Sequence, residues 1–452
     1  MPSQENVLRR VDELMKQAHR QLEYLMQKKT ISSSPDSLDE LRQSAEYIAQ
    51  CARDIGMDAR VINDFVALDG THGKPCVIAH KDPEKGMPTV LLYAHHDVQP
   101  VGNLDGWNTD PWNPTYVNDR IYGRGSADDK AGVVAHLAAI QAALPTGVGV
   151  TLFVEGEEEI GSPTFVDFLH AYQDELQADA IIVADSGNWK AGIPALTVSL
   201  RGVATLKIRL RLLEHAVHSG QFGGPVLDGP MVMARLLSRL HDEKGNVCVP
   251  GLLARDDVKV DIDEEDYRRD SSLLPAVRLA GEGSIASRSW TKPSINLIGM
   301  DVTSCDSSSN TIIPACEAVI SLRVAPFQNS CEAAETVRDY LLVQDVFGAQ
   351  IDIDILESGP GYVADTSTDM CAMMKECLTE AFGEKVVESG EGGSIPFIAD
   401  FQRIFSDAHV FVTGVEDPDA RAHSENESLY IPDWIAAIKA EALFLTRLGE
   451  EK

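Results

Sequence analysis

Short apolar segments alternate with helical patterns along the first 185 residues, and this alternation restricts most strongly the fold that the chain can adopt. Apolar segments predict strands at 75–79, 89–94, 148–154 and 180–185. Apolar residues at helical spacing predict helices at 5–28, 130–144 and 163–176. Strands that alternate with helices are typical of a largely parallel sheet covered by helices. We therefore predict an α/β fold with a mainly parallel central sheet flanked by helices.

The pattern changes near Leu196, where longer segments of alternating polar and apolar residues begin. These predict strands at 197–213, 317–327 and 350–357, with helices at 230–240 and 331–344. Such alternation indicates a sheet with one open face. The charged stretch 254–272 predicts a solvated loop or insert. α/β character then returns with a helix at 368–382, a strand at 408–413 and a helix at 433–448.

This order predicts a split catalytic domain, formed by residues 1–195 and 362–452, with a separate α+β domain inserted at 196–361. A chain of 452 residues exceeds what one hydrophobic core usually supports, so more than one domain is expected.

Charge and cysteine content narrow the range of partners and compartments. The net charge of −31, from 39 basic and 70 acidic side chains, disfavours nucleic acid and anionic membrane surfaces as partners. Eight scattered cysteines without a CxxC pair argue against a disulfide framework or a thiolate zinc site. The N-terminal stretch lacks an apolar signal region, and we find no membrane span. We expect a cytoplasmic protein.

Polar groups that could bind metal follow the predicted strands. Strand 89–94 leads into His95-His96-Asp97, strand 148–154 into Glu157-Glu158-Glu159, and strand 180–185 ends at Asp185. Two loops carry further candidates, Asp128-Asp129 and His423. Functional groups in open α/β sheets collect at the carboxyl ends of strands, so we expect these side chains to meet.

Each candidate also has a simpler interpretation when taken alone. Asp128 and Asp129 could complement a helix N-terminus, Glu157–Glu159 could form a solvated turn, and His423 could be a surface histidine. Several carboxylates brought together, however, repel one another unless a cation neutralises them. Two histidines and at least three carboxylates suit Zn²⁺ or a similar divalent ion, and they suffice for two ions that share one carboxylate.

Six short sequence motifs, called words below, together resemble those of one family. They are HHD (95–97), GRGSADDK (123–130), EGEEEIGS (155–162), VADSGNW (183–189), VHSGQFGG (217–224) and AHSENE (422–427). Their order and spacing resemble the dinuclear zinc metallopeptidases that include carnosinase, cytosolic nonspecific dipeptidase, aminoacylase and glutamate carboxypeptidase. The words DVQP, GRGSADDK and GGSIP most resemble those of the dipeptidase and carnosinase branch. The resemblance covers nearly the whole chain.

The resemblance implies a ligand set for two Zn²⁺ ions per subunit, with Mn²⁺ as a substitute. It makes Asp128 the bridging carboxylate, His95 and Asp185 ligands of one ion, and Glu159 and His423 ligands of the other. It makes Asp97 the partner that orients the His95 imidazole. It also implies a cis peptide bond after Asp128.

The resemblance further implies that Glu158 is the general base. It would take a proton from a water that bridges the two ions and deliver that proton to the leaving amine. The three consecutive glutamates leave the alignment with the family open, because Glu157 and Glu158 could instead be base and ligand. The following Ile160-Gly161-Ser162 favours Glu158 and Glu159.

The inserted domain resembles the lid of this family, which also forms the contact of a homodimer. Its His218 corresponds to a histidine that reaches the active site of the other subunit and polarises the scissile carbonyl. Asn310 and Arg323 match lid positions that approach substrate, and Arg323 suits a bidentate grip on a carboxylate. Gly393 and Ser394 belong to a glycine-rich segment whose backbone N–H groups could hold the same carboxylate.

The expected activity is metal-dependent hydrolysis of the amide bond of dipeptides or short peptides with a free C-terminal carboxylate. An N-acyl amino acid deacylase or a carboxypeptidase of the same family is the alternative within hydrolases. An inactive metal-binding scaffold is the alternative outside enzymes, although every expected position is filled. Ser394 lacks the GxSxG context of a nucleophilic serine, and no HExxH helix occurs in the sequence.

Strand geometry distinguishes the two adjacent histidines. If strand 89–94 stays extended at its end, His95 and Asp97 share one face and His96 lies on the other. We therefore expect His95 to bind metal and His96 to pack in a second layer.

Overall fold

Residues 3–393 and 395–450 are described by the computed structural model. The α-helices of these residues are α1 (Gln4–Met26), α2 (Leu38–Asp54), α3 (Lys130–Ala143), α4 (Phe165–Ala171), α5 (Gln173–Leu176), α6 (Ser219–Phe222), α7 (Gly229–Leu237), α8 (Glu264–Asp270), α9 (Ile285–Trp290), α10 (Ser330–Leu342), α11 (Asp369–Phe382), α12 (Pro396–Ile404) and α13 (Ile431–Glu450). The strands are β1 (Asp58–Ile62), β2 (Cys76–Lys81), β3 (Thr89–His95), β4 (Thr115–Val117), β5 (Arg120–Tyr122), β6 (Gly149–Glu155), β7 (Ala180–Val183), β8 (Ala195–Leu200), β9 (Gly202–Arg211), β10 (Val217–His218), β11 (Ser294–Met300), β12 (Thr311–Ile312), β13 (Ala315–Val324), β14 (Gln350–Gly359), β15 (Tyr362–Val363), β16 (Val387–Glu391), β17 (His409–Val412) and β18 (Ser428–Tyr430).

The chain divides into two units. The first contains the residues up to Val198, Ala364–Ser389 and the residues from Asp400 onward, and the second contains Ser199–Val363 and Gly390–Ala399. The segment Gly390–Ala399 thus groups with the second unit, whereas the division made from the sequence assigns it to the catalytic domain. The assignment of catalytic and lid roles to these parts stays a prediction.

The central sheet has the strand order β1-β2-β6-β3-β7-β17-β8-β15. Its middle strands β6, β3, β7 and β17 are parallel neighbours, whereas β1, β2 and β8 pair antiparallel at the flanks. The middle strands consist almost wholly of buried apolar residues, as expected for parallel strands covered on both faces. The predicted α/β class with a mainly parallel central sheet is confirmed.

Four helices of the first unit pack together against this sheet. α1, α3, α11 and α13 share one hydrophobic core with β3 and β6, and every residue of α3 except Gln141 is buried. The indole N–H of Trp434 in α13 donates to the carbonyl of Ala131 in α3 at 3.0 Å. The start of α3, which follows the Asp128-Asp129 pair, is therefore held inside the core.

The second unit contains an antiparallel sheet of order β11-β13-β9-β14. α7 and α10 cover one face and form a separate hydrophobic core with its apolar residues. The other face is polar: Arg209 lies 2.9 Å from Asp352 and 2.6 Å from Asp354 across two strands. This arrangement accounts for the alternating sequence pattern of β9 and β13.

One sequence expectation in this region is wrong. The long strand expected at 197–213 is two strands, because the chain breaks at Arg201 between β8 and β9. A Cβ at Gly202 would lie 2.1 Å from the Ser330 hydroxyl, so close packing at this point requires glycine. The charged stretch 254–272 is mostly exposed, as expected of a solvated insert, and it contains the short helix α8.

None of the helices in the described part of the chain combines the length and the apolar character needed to cross a membrane.

Candidate metal centre

His95 is the last residue of β3 and is fully buried. Its Nε2 atom lies 2.9 Å from Oδ1 of Asp128 and 3.9 Å from Oδ1 of Asp185. On the other side of the ring, Nδ1 lies 3.1 Å from the carbonyl oxygen of Asp97 and 3.3 Å from its Oδ1. Burial disfavours the charged imidazole, but hydrogen bonds to Asp128 and Asp97 outweigh burial and raise the pKa of His95 well above its usual range. The carboxylates around His95 therefore favour a positive charge there.

The adjacent His96 makes different contacts. Its Nε2 lies 2.8 Å from the carbonyl oxygen of Pro75, and its Nδ1 lies 3.1 Å from the hydroxyl of Ser44. Burial lowers the pKa of His96 to about 4, so the ring is neutral at pH 7. It donates to Pro75 and accepts from Ser44. Of the two histidines, only His95 has Asp128 and Asp185 within 4 Å.

Asp128 lies between two imidazoles. Its Oδ1 faces His95, and its Oδ2 lies 3.0 Å from Nε2 of His423. The same Nε2 lies 3.1 Å from Oε2 of Glu159. Hydrogen bonds to Asp128 and Glu159 raise the pKa of His423 to about 11, although its side chain is 58% exposed. The peptide bond between Asp128 and Asp129 is cis.

The three consecutive glutamates have different environments. Glu157 is buried, and its carboxylate accepts from the backbone N–H groups of Lys74 and Thr164, both at 2.9 Å. Glu159 accepts from the backbone and side-chain N–H groups of Gln99 at 3.0 and 2.9 Å. Burial and the nearby charge of Asp185 raise the pKa of Glu158 well above its usual range. These contacts favour the register in which Glu157 anchors the turn while Glu158 and Glu159 belong to the site.

Asp97 connects the end of β3 to this turn. Its two carboxylate oxygens accept from the backbone N–H groups of Glu158 and Glu159 at 3.2 and 3.1 Å, and the side chain is fully buried. One carboxylate thus contacts the His95 ring and positions two glutamates.

Among the described residues, two groups of donor atoms have all their atoms within 4.8 Å of one another. One group is His95, Asp128 and Glu159, and the other is His95, Glu158 and Asp185. Imidazole nitrogens and carboxylate oxygens are ligands that Zn²⁺ and Mn²⁺ accept. A divalent ion would also offset the repulsion that raises the pKa of Glu158. The residues present therefore fit the metal that the sequence predicts.

Glu427 was missed by the sequence reasoning. Its buried carboxylate accepts from the guanidinium of Arg124 at 2.6 Å and from the backbone N–H groups of Gly125, Ala127 and Asp128 at 3.0–3.2 Å. Glu427 therefore joins the loop that carries His423 to the loop that carries Asp128. A usable signal was Arg124 in the word GRGSADDK, since a buried arginine requires a carboxylate partner.

The other predicted site residues belong to the second unit. His218 is exposed, pairs with Thr311 between β10 and β12, and accepts from the backbone N–H of Gly220 at 3.0 Å. Asn310 is exposed beside it, and its carbonyl accepts from the N–H of Ser219. Arg323 lies on the polar face of β13, and Gly393 is exposed. Ser394 lies outside the described residues.

Comparisons with known proteins identify the family of the chain. Residues 91–447 match the model of peptidase family M20/M25/M40. The chain is 32% identical to the cysteinylglycine-S-conjugate dipeptidase of Corynebacterium striatum, with 92% of each chain covered. It is 28% identical to the Beta-Ala-His dipeptidase of Homo sapiens, covering 83% of this chain and 78% of that protein.

Solved structures of low sequence identity share the fold. Human carnosine dipeptidase 1 superposes with a TM-score of 0.77 at 24% identity, with all of both chains covered. The M20 family metallo-carboxypeptidase Sso-CP2 of Sulfolobus solfataricus superposes with a TM-score of 0.79 at 24% identity, covering 96% of this chain and 99% of that one. The match of the family model over most of the sequence and the dipeptidase relative at 32% identity carry the assignment. The chain belongs to peptidase family M20/M25/M40, a family of metallopeptidases.

Proposed function

We propose that this peptidase uses two divalent ions, Zn²⁺ or Mn²⁺, to hydrolyse the amide bond of dipeptides or short peptides that have a free C-terminal carboxylate. The observation that carries the proposal is the position of Asp128, whose two oxygens face different imidazoles at 2.9 and 3.0 Å. A carboxylate in this position can bridge two ions. Two relatives of this chain are named as dipeptidases, which favours a dipeptide substrate.

In this proposal the ligands divide between two ions. His95 and Asp185 would hold one ion, Glu159 and His423 would hold the other, and Asp128 would contact both. When bound, the ions supply positive charge that acidifies water and polarises the substrate carbonyl. Asp97 keeps the His95 ring oriented through its contacts with Nδ1.

Glu158 is proposed as the general base. Its carboxylate belongs to the donor group with His95 and Asp185. Burial and the charge of Asp185 raise its pKa, so it would hold an accepted proton readily, and a bound cation nearby would keep it ionised before the water reacts. Such a group can take a proton from the attacking water and return it to the leaving nitrogen. Glu157 is a poor candidate for this role because backbone donors already occupy its carboxylate.

Residues of the second unit are proposed to bind the C-terminal end of the substrate. Arg323 would form two parallel hydrogen bonds to the C-terminal carboxylate, assisted by Asn310 and by the segment of Gly393 and Ser394. An N-acyl amino acid deacylase and a carboxypeptidase would need the same carboxylate contact. These alternatives therefore differ from a dipeptidase in the group that precedes the scissile bond.

The second unit is also proposed to form a homodimer in which His218 acts in the active site of the other subunit. His218 is exposed, and among the described residues its one hydrogen bond uses Nδ1, so Nε2 can donate to a substrate carbonyl as negative charge develops there.

We propose the cytoplasm as the compartment. All eight cysteines are free thiols, and five of them are buried, which is compatible with a reducing environment.

Replacing the base tests the proposed chemistry. We expect Glu158→Gln to lower kcat by about 10²- to 10⁴-fold while metal content is retained, because the amide cannot accept the proton. Glu157→Gln is the matched control: it should lower the melting temperature through lost backbone contacts, yet keep kcat of the folded fraction. If Glu157→Gln removed kcat and Glu158→Gln did not, the assignment would be reversed.

A substrate panel separates the alternatives. We expect higher kcat/KM on Ala-Leu-type dipeptides than on N-acetyl amino acids or on tripeptides. Preference for acetylated compounds would make the protein a deacylase, and preference for longer peptides would make it a carboxypeptidase. C-terminally amidated dipeptides serve as the control for the carboxylate contact and should be poor substrates of the wild-type protein.

Subunit mixing tests the position of His218. Glu158→Gln and His218→Ala subunits should each be inactive alone. A hybrid dimer should regain part of the wild-type activity, because one of its sites combines an intact Glu158 with an intact His218 from the other subunit. Hybrids that form but stay inactive would contradict action between subunits.

A further inference from the structure

The second unit contains a cavity of about 570 Å³ with a basic lining. Its charged and polar lining residues include Arg201, His241, Asn246, Tyr267, Arg288 and Lys292. No aspartate or glutamate occurs among the described residues that line it. This composition is unexpected in a chain whose 70 acidic residues outnumber 39 basic ones. The volume lies within the range of small-molecule binding sites.

Arg201 is the most deeply placed cation of this cavity. It lies at the break between β8 and β9 and is 9% exposed. Its Nε donates to the carbonyl of Gly392 at 3.1 Å, and its Nη1 donates to the hydroxyl of Ser294 at 3.1 Å. Both of these acceptors are neutral oxygen atoms that orient the guanidinium. Burial, with a further contribution from the charge of Arg323, lowers the pKa of Arg201 to about 10. A bound anion would relieve both effects.

Arg288 and Lys292 add two further charges. The Nε and Nη1 atoms of Arg288 donate to the carbonyls of Ser284 and Ala280, at 3.2 and 2.9 Å. Within the described part of the chain its Nη2 donates to no acceptor, and no carboxylate lies within ion-pair distance. Lys292 lies 2.7 Å from Asp256, whose side chain is 65% exposed and therefore compensates this charge only partly.

The walls of the cavity are held together by hydrogen bonds. Asn246 donates to the carboxylate of Asp242 at 3.0 Å and accepts from the backbone N–H of Glu282 at 2.8 Å. The N–H of Gly281 donates to the carbonyl of Lys244 at 2.8 Å. These contacts join residues 242–246 to 281–282, so this wall of the cavity is fixed before any ligand binds.

We propose that this cavity binds a small organic molecule through an oxyanion, a carboxylate or a phosphate, which lies between the side chains of Arg201, Arg288 and Lys292. Planar guanidinium groups bind both kinds of oxyanion through paired hydrogen bonds. The remaining volume and the side chains of Tyr267 and Asn246 would contact the rest of the ligand. This site goes beyond the proposed peptidase activity and does not depend on it.

Calorimetric titration of the metal-loaded full chain tests the proposal, with succinate and inorganic phosphate as separate probes at low ionic strength. We expect at least one probe to bind, with an affinity that falls as sodium chloride is added. Arg288→Gln should weaken that binding about tenfold or more, since a hydrogen bond to a charged group is lost. Binding of succinate alone would identify a carboxylate ligand, and binding of phosphate alone would identify a phosphate ligand.

Two controls locate the binding event. Arg269→Gln removes an arginine that is 63% exposed and does not line the cavity, and it should leave the affinity unchanged. His423→Ala disturbs the metal centre and should also preserve the anion binding that Arg288→Gln removes. The proposal is overturned if neither probe binds, if Arg288→Gln with a wild-type melting temperature binds like wild type, or if His423→Ala abolishes the binding.

Discussion

Backbone N–H groups hold several carboxylates around the candidate metal centre. Asp97 accepts from two of them at the turn of Glu158 and Glu159, and Glu427 accepts from three in the loop before Asp128. Charged hydrogen bonds of this kind fix side-chain positions more strongly than neutral ones. Residues that bind no metal in the proposal thus determine where the proposed ligands lie.

Replacing Glu427 should loosen the site. Glu427→Gln leaves Arg124 buried without its carboxylate and replaces one acceptor oxygen by an amide group that cannot accept. We expect the free energy of unfolding to fall by about 3 kcal/mol. Metal affinity should fall by roughly 10- to 100-fold, as for other residues that orient ligands. Chelator competition measures the metal affinity, and urea titration measures the stability.

Glu425→Gln is the matched control for this experiment. Glu425 lies in the same loop but makes no hydrogen bond or ion pair to any other described residue, so both quantities should stay at wild-type values. An unchanged metal affinity in Glu427→Gln would remove the positioning role.

Single residues of the candidate site could be named from the sequence when they belong to recognisable words. His95, Asp128, Glu159, Asp185 and His423 each lie in such a word, and in the structure each of them lies within 4 Å of at least one of the others. Glu427 could not be assigned in this way, because its importance arises from contacts with a loop about 300 residues earlier in the chain. The basic cavity could not be predicted from the sequence for the same reason, because its lining residues come from several separate segments.

Among the structural elements, the parallel strands β3, β6 and β7 position most of the centre. Their ends deliver His95, the glutamate turn and Asp185 to one edge of the sheet. These strands were predictable because each is a continuous apolar segment. β4, β5 and β18 have three residues each and were missed, since so short a segment shows no periodicity. β8 and β9 were merged because the alternating pattern continues through Arg201.

Close packing behind the end of β3 leads to a prediction about Gly156. A Cβ at this position would lie 2.2 Å from the carbonyl oxygen of Pro75 and 3.0 Å from Nε2 of His96. Gly156→Ala must therefore displace the backbone at β2 or break the bond between His96 and Pro75. We expect a loss of about 1–3 kcal/mol in the free energy of unfolding, measured by thermal or urea denaturation.

The control for this variant is Gly187→Ala. At Gly187 a Cβ would meet nothing closer than 3.9 Å, so the same change should be neutral or stabilise by up to about 1 kcal/mol. If the two variants were equally stable, the residues around Gly156 could accommodate the added methyl group without loss of stability.

At the scale of the whole molecule, the excess of acidic side chains should make the stability of the fold depend on bound metal. The centre concentrates buried carboxylates, among them Asp128 and Glu159, whose side chains are 8% and 3% exposed. A cation that binds the folded state alone adds to its stability. Removal of metal should therefore weaken the fold as well as the activity.

Chelation should lower the melting temperature of the wild-type protein. The expected loss is about 3 kcal/mol when the free metal had exceeded its dissociation constant a hundredfold. Added Zn²⁺ or Mn²⁺ should reverse the loss. Asp128→Asn lacks the proposed bridging charge, so its melting temperature should respond far less to chelator; an equal response in both proteins would place the stabilising ion elsewhere.

The first unit is assembled from three separate stretches of the chain, and the last of them carries β17, His423, Glu427 and α13. During synthesis, the central sheet and the proposed ligand set cannot be completed until this last stretch has been made. A chain released early would expose the buried edge of β7 and hold His95 and Asp128 without their last imidazole. Capacity to bind the proposed pair of ions thus arises only after the stretch that carries His423 has been synthesised, so a chemical property distinguishes chains that contain this stretch from shorter ones.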